Sequence, residues 1–353
     1  MRRRLTIVVV AVLVVALVAV GVVVGLGWWR DAHRSDLERA TSYAPGDAER
    51  LSWTDWAAVR DRVGGDLDAS SSGAALQTFL DQGFDDDLTS TSALVQSAPV
   101  LQARFGFSPA SADWELFSQS TQGAVVIVEM PDGTDFDELG SNLEEVGFER
   151  PHSEDGVWSG GETVLPTVGP KLTPELQYVA LDAEDHLVLT SDTAGYLQQV
   201  VDGLGGDDLP EPMKEVAGAS GDAVSAAILS GPLACSALAM SNADASEERE
   251  GERLVREAGE VNPVTGLALS AQPGGGVRVV LGFEDDDQAR TNADTRAKLA
   301  AGPAPGQGGD FSDRFSVDEV SADGSLVTMD LDPRRGAYVL SDLSSGPVLF
   351  ATC

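Results

Sequence analysis

Histidine, cysteine and lysine are scarce in this chain of 353 residues, which has three histidines, two cysteines and three lysines. Nucleophilic hydrolysis needs a base beside the nucleophile, and histidine is the usual base. A zinc site needs three or four closely spaced cysteine, histidine or carboxylate ligands. The sequence contains no Cys-x-x-Cys, His-Glu-x-x-His or Gly-x-Ser-x-Gly pattern. It therefore predicts no catalytic residue, no metal site and no cofactor.

The three histidines, His33, His152 and His186, are each predicted to lie in a surface segment. A hydrolase is consequently the weakest of the functional hypotheses. The acidic runs at 85–87, 132–138 and 284–287 offer oxygen ligands for calcium. In the helix-loop-helix calcium pattern aligned from residue 135, two ligand positions lack a side-chain oxygen. We interpret these runs as solvated turns and the first turns of helices.

Basic residues are also few, with 23 against 57 acidic residues and a formal net charge of -34. A surface of this charge repels nucleic-acid phosphates, so the sequence predicts no nucleic-acid partner. The chain is 42% hydrophobic and 23% charged, which is the composition of a folded protein rather than a disordered one.

One long apolar run, residues 5–29, follows the basic tail Met1-Arg2-Arg3-Arg4. About 20 apolar residues in a helix cross the hydrocarbon core of a bilayer. We predict a cytoplasmic tail at 1–4, a transmembrane helix at 5–29, a juxtamembrane stalk at 30–48 and an extracytoplasmic body. This makes the protein single-pass in the cell membrane, with the lipid bilayer as a partner. A cleaved secretory signal is the alternative interpretation of the run.

The two cysteines, Cys235 and Cys353, are predicted to pair in an oxidising compartment. A disulfide between them closes a loop that the chain-entropy model associates with roughly 4 to 5 kcal/mol of stabilisation. It also holds the last residue of the chain against the body. Two independent thiols remain the alternative.

Apolar periodicity along the body alternates between that of helices and that of strands. Residues 56–63, 73–82, 92–105 and 136–146 are predicted helices, and residues 113–117 and 123–130 are predicted strands. The segment 346–352 is predicted to be a buried strand. This mixture predicts an α+β fold, with helices and an antiparallel sheet after the transmembrane helix.

The order of predicted elements in residues 213–353 repeats the order in residues 49–204. We interpret these ranges as two pseudo-repeated α+β halves, joined near residues 205–212. The repeat lies in the order of elements and not in aligned residues.

The basic tail, the Val/Ala-rich apolar run and the Ala/Asp/Gly/Arg-rich body resemble those of uncharacterised actinobacterial envelope proteins with one span and an acidic extracytoplasmic domain. This resemblance in layout implies no active site. The leading hypothesis is a non-enzymatic interaction or structural module with an envelope protein partner. The alternative is a module that binds a small or lipid-like ligand in an enclosed apolar pocket. Trp53 and Trp56 suit core packing better than an exposed binding platform.

Overall fold

The computed structural model describes residues 34–65, 67–153, 156–169, 171–206 and 209–353. The strands in these ranges are β1 (Arg50–Asp55), β2 (Trp114–Gln119), β3 (Ala124–Glu129), β4 (Trp158–Ser159), β5 (Tyr178–Asp182), β6 (Leu187–Ser191), β7 (Ser225–Ser230), β8 (Gly266–Ala271), β9 (Val277–Gly282), β10 (Phe315–Asp323) and β11 (Leu326–Pro333). The helices are α1 (Asp36–Thr41), α2 (Trp56–Val63), α3 (Gly73–Asp85), α4 (Ala98–Val100), α5 (Phe136–Val146), α6 (Gly161–Val168), α7 (Ala194–Asp202), α8 (Glu211–Ala219), α9 (Gly231–Ala237), α10 (Ala245–Ala258), α11 (Asp286–Ala300) and α12 (Val339–Leu343). A π-helical turn, Leu101–Phe105, continues α4.

All the strands belong to one 11-stranded antiparallel sheet with the order β10-β11-β9-β8-β7-β1-β2-β3-β6-β5-β4. The order is similar on the two sides of the central β1–β7 pair. On one side, β1 is followed by the hairpin β2–β3, and β6, the second strand of the hairpin β5–β6, pairs with β3. On the other side, β7 is followed by the hairpin β8–β9, and β11, the second strand of the hairpin β10–β11, pairs with β9. One sheet therefore joins the predicted halves side by side. Their boundaries, 49–204 and 213–353, stay a prediction.

Helices cover both faces of the central strands, which explains why these strands are apolar nearly throughout. Helices α1, α7 and α8 pack over the face that carries Trp53, Leu116 and Ile127. The opposite face is covered by a larger group that includes α2, α3, α5 and α11. At one edge, β10 exposes Asp318, Glu319 and Asp323 and carries a bulge between Val317 and Glu319. Bulges and charges at an edge oppose pairing with other chains.

The helices begin and end where local chemistry dictates. The side chain of Asp135 accepts the Glu138 N–H and caps the start of α5, and Gly147 ends that helix with a φ of 112°. Asp55 caps α2 in the same way through the Ala58 N–H. Ser35 and Glu38 form a capping box at α1.

The predicted fold class is corrected at its amino-terminal end. The mixed α+β body with an antiparallel sheet is confirmed. The class also included a transmembrane helix at 5–29, but none of the helices in the described ranges is long and apolar enough to cross a membrane. Residues 5–29 themselves, with the tail at 1–4, lie outside those ranges.

The predicted stalk at 30–48 is also corrected for the part that the structure describes, residues 34–48. Helix α1 lies in this segment and packs against α8 and β1. Leu37, Ala40, Ala44 and Ala48 are buried in the core on that face of the sheet. The segment belongs to the folded body because its apolar residues cover the sheet.

Two predicted elements differ for reasons of tertiary contact. Residues 92–97 are turns, and the helix begins only at Ala98, where Pro99 suits the first turn. The predicted strand at 346–352 is instead a 3-10 turn, Leu349–Ala351. Leu349, Phe350 and Ala351 are buried in the core, but they form none of the strands of the sheet.

Candidate functional site

The predicted disulfide is present between Cys235 and Cys353, whose Cα atoms are 5.4 Å apart. Cys235 lies in α9, and the two cysteines are 118 residues apart in the sequence. The bond fastens the last residue to the second half of the body.

A buried arginine fastens the same carboxyl-terminal segment from inside. Arg296 in α11 has no exposed surface. Its guanidinium donates to the carbonyl oxygens of Phe350 at 2.6 Å, Thr352 at 2.8 Å and Asn262 at 2.6 Å. The partners of Arg296 in the described part of the chain are carbonyl and amide oxygens and no carboxylate, and burial lowers the pKa of Arg296 to about 10. The sequence analysis missed this residue, since nothing near it in the chain distinguishes it from a surface arginine.

A buried carboxylate lies at the centre of the sheet, on β2. Glu115 has no exposed surface and accepts hydrogen bonds from Trp56 Nε1 at 3.0 Å, Ser92 Oγ at 3.0 Å and the Ala93 N–H at 2.7 Å. Burial raises its pKa to about 7, although these three donors oppose the shift. Glu115 thus holds residues 92 and 93 in a turn against the sheet. A charged residue within the apolar strand was the only sequence signal for this role.

A second buried carboxylate joins the two halves of the body. Asp87, which the sequence analysis grouped with the solvated run 85–87, is buried. Its side chain accepts the Leu340 N–H at 2.6 Å and the Ser341 N–H at 3.2 Å. These amides belong to the first turn of α12, which has no side-chain cap of its own. Burial raises the pKa of Asp87 to about 6.

An exposed aromatic side chain lies next to this junction. Phe84, near the end of α3, is 52% exposed and is the only large hydrophobic side chain with such exposure among the described residues. Its ring lies 5.4 Å from that of Tyr338, which immediately precedes α12. Beside it is a groove of 460 Å³, which we call the Phe84 groove; its lining includes Leu80, Asp81, Phe84, Val95, Pro99 and Lys171.

A second depression, a cleft of 570 Å³, lies between the π-helical turn and the start of α5. Its lining includes Arg60, Gln102, Asp132, Asp135 and Glu138. Arg60 already donates to the carbonyl oxygens of Pro109 at 3.0 Å and Ala112 at 2.7 Å. Gln102 donates to the carbonyl oxygen of Ala69 at 2.6 Å. These polar side chains stabilise the walls of the cleft, and the acidic lining differs from the apolar pocket expected for a lipid-like ligand.

The two described histidines, His152 and His186, lie in separate loops. His33 lies outside the described residues, His152 is exposed in a loop, and His186 is half-buried in the turn before β6. His186 Nε2 lies 3.8 Å from Asp132, a fully exposed carboxylate. In the ranges that the structure covers, no hydrogen bond joins a histidine to a serine, threonine or cysteine.

Trp53 and Trp56 lie in the core, and one of the acidic runs caps a helix. Trp53 and Trp56 have no exposed surface and face opposite sides of the sheet, so they are core residues as predicted. Among the residues described, no group of three or more histidine, cysteine or acidic side chains is arranged to hold a metal ion. Asp285 caps α11, as expected for an acidic residue at the start of a helix.

The sequence matches no known protein-family model and none of the curated proteins. Among solved structures, crystal form I of TP0453 is similar, with a TM-score of 0.40 and 7% identity over 86% of this chain and 96% of that chain. Crystal form IV of TP0453 has a TM-score of 0.40 and 6% identity over the same shares of the two chains. TM-scores this low support no conclusion about the fold or the function of this chain.

Proposed function

We propose that this chain is a non-enzymatic interaction module that works outside the cytoplasm, as a protein of the cell envelope. The observation that supports the location outside the cytoplasm is the disulfide between Cys235 and Cys353. Disulfides persist in oxidising compartments and are rare where glutathione and thioredoxin keep thiols reduced. The net charge of -34 also favours a protein partner over nucleic acid.

The test is the state of the two thiols in the producing cell. Cells are lysed in an excess of a mass-tagging maleimide, and the chain is analysed before and after reduction. We expect no tag at Cys235 or Cys353 before reduction and two tags after it. The variant Cys353→Ser is the matched control, because it leaves Cys235 without its partner and available for one tag. Two tags on the wild-type chain without reduction would contradict the proposal.

A second candidate function, small-ligand binding, is favoured by the 570 Å³ cleft, whose size suits a small molecule. Its lining has four acidic side chains, Asp68, Asp132, Asp135 and Glu138, against the two arginines Arg60 and Arg104, and this excess of negative charge favours a cationic ligand. A polyamine such as spermidine is a suitable probe in a thermal-shift titration. We expect a saturable rise in melting temperature that Glu138→Gln weakens and Glu145→Gln, on an exposed part of the same helix, leaves unchanged.

A further inference from the structure

We propose that the Phe84 groove is the interaction surface of this protein, and that it binds a protein segment that carries an apolar anchor side chain flanked by basic residues. This inference deepens the proposed function and rests on it. It names the surface and the chemistry of the partner.

The groove combines an apolar floor with an exposed aromatic ring. Leu80 is buried beneath it, Val95 and Pro99 form part of its wall, and Phe84 is 52% exposed at its rim. Solvent-exposed apolar surface in a concave setting marks interaction sites more often than a lone exposed residue does. Aromatic anchors in such settings supply much of the binding energy of an interface.

Both walls of the groove are fixed before any partner arrives. The Phe84 ring packs on Tyr338 from the other half of the body, at 5.4 Å between ring centroids. On the side of Val95 and Lys171, Ser97 Oγ donates to the Lys171 carbonyl oxygen at 3.2 Å, and Glu115 holds residues 92 and 93, which precede Val95 in the chain. A surface held in this way loses little conformational entropy on binding.

The charge around the groove determines the kind of partner. Asp81, Asp85 and Asp86 are exposed on or directly after α3, beside Phe84. Lys171 is the single basic residue in the lining. Complementary charge at the rim of an interface steers association and excludes partners of the same sign. An apolar anchor with lysine or arginine neighbours fits this surface, whereas an acidic segment is repelled.

The test uses the full-length chain and a fluorescent synthetic amphipathic helix of about 14 residues, with leucine on one face and lysine on the other. Binding is measured by fluorescence anisotropy. We expect Phe84→Ser to weaken binding by about tenfold or more. The double variant Asp85→Asn/Asp86→Asn should weaken it by about threefold to tenfold.

The matched control is Asp318→Asn/Asp323→Asn, which removes the same charge from exposed positions on the edge strand β10. We expect it to change the affinity by less than about twofold. If Phe84→Ser lowers the melting temperature, the variant Gln96→Arg is used instead, because Gln96 is an exposed residue of the groove wall. This variant should weaken binding of the lysine helix and strengthen binding of its glutamate counterpart.

Three results would overturn the proposal: no binding of the lysine helix, equal losses in the groove variants and in the β10 control, or equal binding of the glutamate helix. Phe84-dependent binding to anionic lipid vesicles without peptide binding would assign the groove to a membrane surface instead. The thiol-state experiment is independent of all these outcomes. If the peptide does not bind but the two cysteines are paired in the cell, the proposed location outside the cytoplasm stands and only the proposal for the Phe84 groove is wrong.

Discussion

Glu115 shows how one side chain in this protein combines a structural contact with a dependence on pH. Its carboxylate accepts two hydrogen bonds from residues 92 and 93 and a third from Trp56, while burial raises its pKa from 4.5 to about 7. The folded state therefore binds a proton more tightly than the unfolded state does. The stability that this group contributes is complete below the unfolded pKa and is lost as the pH rises through the folded pKa.

The variant Glu115→Gln tests this linkage. Between pH 5 and pH 7 the free energy of unfolding of the wild type should fall with a slope from Glu115 of up to about 1.4 kcal/mol per pH unit. We expect the variant to lose this part of the slope, whatever its absolute stability. Denaturant unfolding at several pH values measures the effect. Glu145→Gln, on the exposed face of α5, should keep the wild-type slope. Parallel slopes in Glu115→Gln and wild type would refute the assignment.

At the scale of single elements, short segments of this fold depend on residues from distant parts of the chain. Helix α12 has only five residues and takes its cap from Asp87, which precedes it by about 250 residues. The 3-10 turn Leu349–Ala351 depends in the same way on Arg296. Neither segment is long enough to be a stable helix alone.

Removing the cap should weaken α12 first. Asp87→Ala leaves the Leu340 and Ser341 amides without their side-chain acceptor, and it places alanine at a φ of 56°. We expect a loss of about 1 to 2 kcal/mol in the free energy of unfolding. The rate of amide hydrogen exchange should increase more at Leu340 and Ser341 than at other residues. The control Asp86→Ala changes the exposed neighbour; equal exchange in both variants would contradict the capping role.

The disulfide and Arg296 hold the same segment, but they act on different states of the chain. The disulfide restricts mainly the unfolded chain. We expect the double variant Cys235→Ser/Cys353→Ser to lose roughly 4 kcal/mol in denaturant unfolding, because the bond links residues 118 positions apart. Wild-type protein in a phosphine reductant should match the variant. An unchanged midpoint in both would show that Arg296 alone determines the position of this segment.

At the scale of the whole molecule, one continuous sheet carries an excess of negative charge. Self-repulsion at a net charge of -34 opposes the compact state, and salt screens it. We therefore expect the melting temperature to rise by several degrees between about 0.02 M and 0.5 M sodium chloride. Choline chloride should have the same effect if screening is the cause. A melting temperature that falls with salt would show that ion pairs such as Arg278–Asp330 outweigh the repulsion.

The sequence predicted the elements whose signals are local. Helix Phe136–Val146 has its predicted bounds, since an aspartate caps it, a glycine ends it and one face is apolar. Helix Trp56–Val63 also has its predicted bounds, and the structure shows that Asp55 caps it. Helices α6 and α8 were missed: α6 contains Pro166, and α8 begins in a segment that reads as a linker.

The sequence by itself determined the α+β body and the acidic character of the chain, and it predicted the disulfide between Cys235 and Cys353 that the structure confirms. Only the tertiary structure decided that Glu115, Asp87 and Arg296 are buried anchors, and that Phe84 stays exposed beside a groove. The physical reason is the separation in sequence: Glu115 accepts the Ala93 N–H from 22 positions away, Arg296 donates to Asn262 34 positions away, and Asp87 accepts the Ser341 N–H from 254 positions away. Propensity and periodicity describe neighbours along the chain, whereas burial of a charge depends on which distant donors and acceptors the fold brings to it.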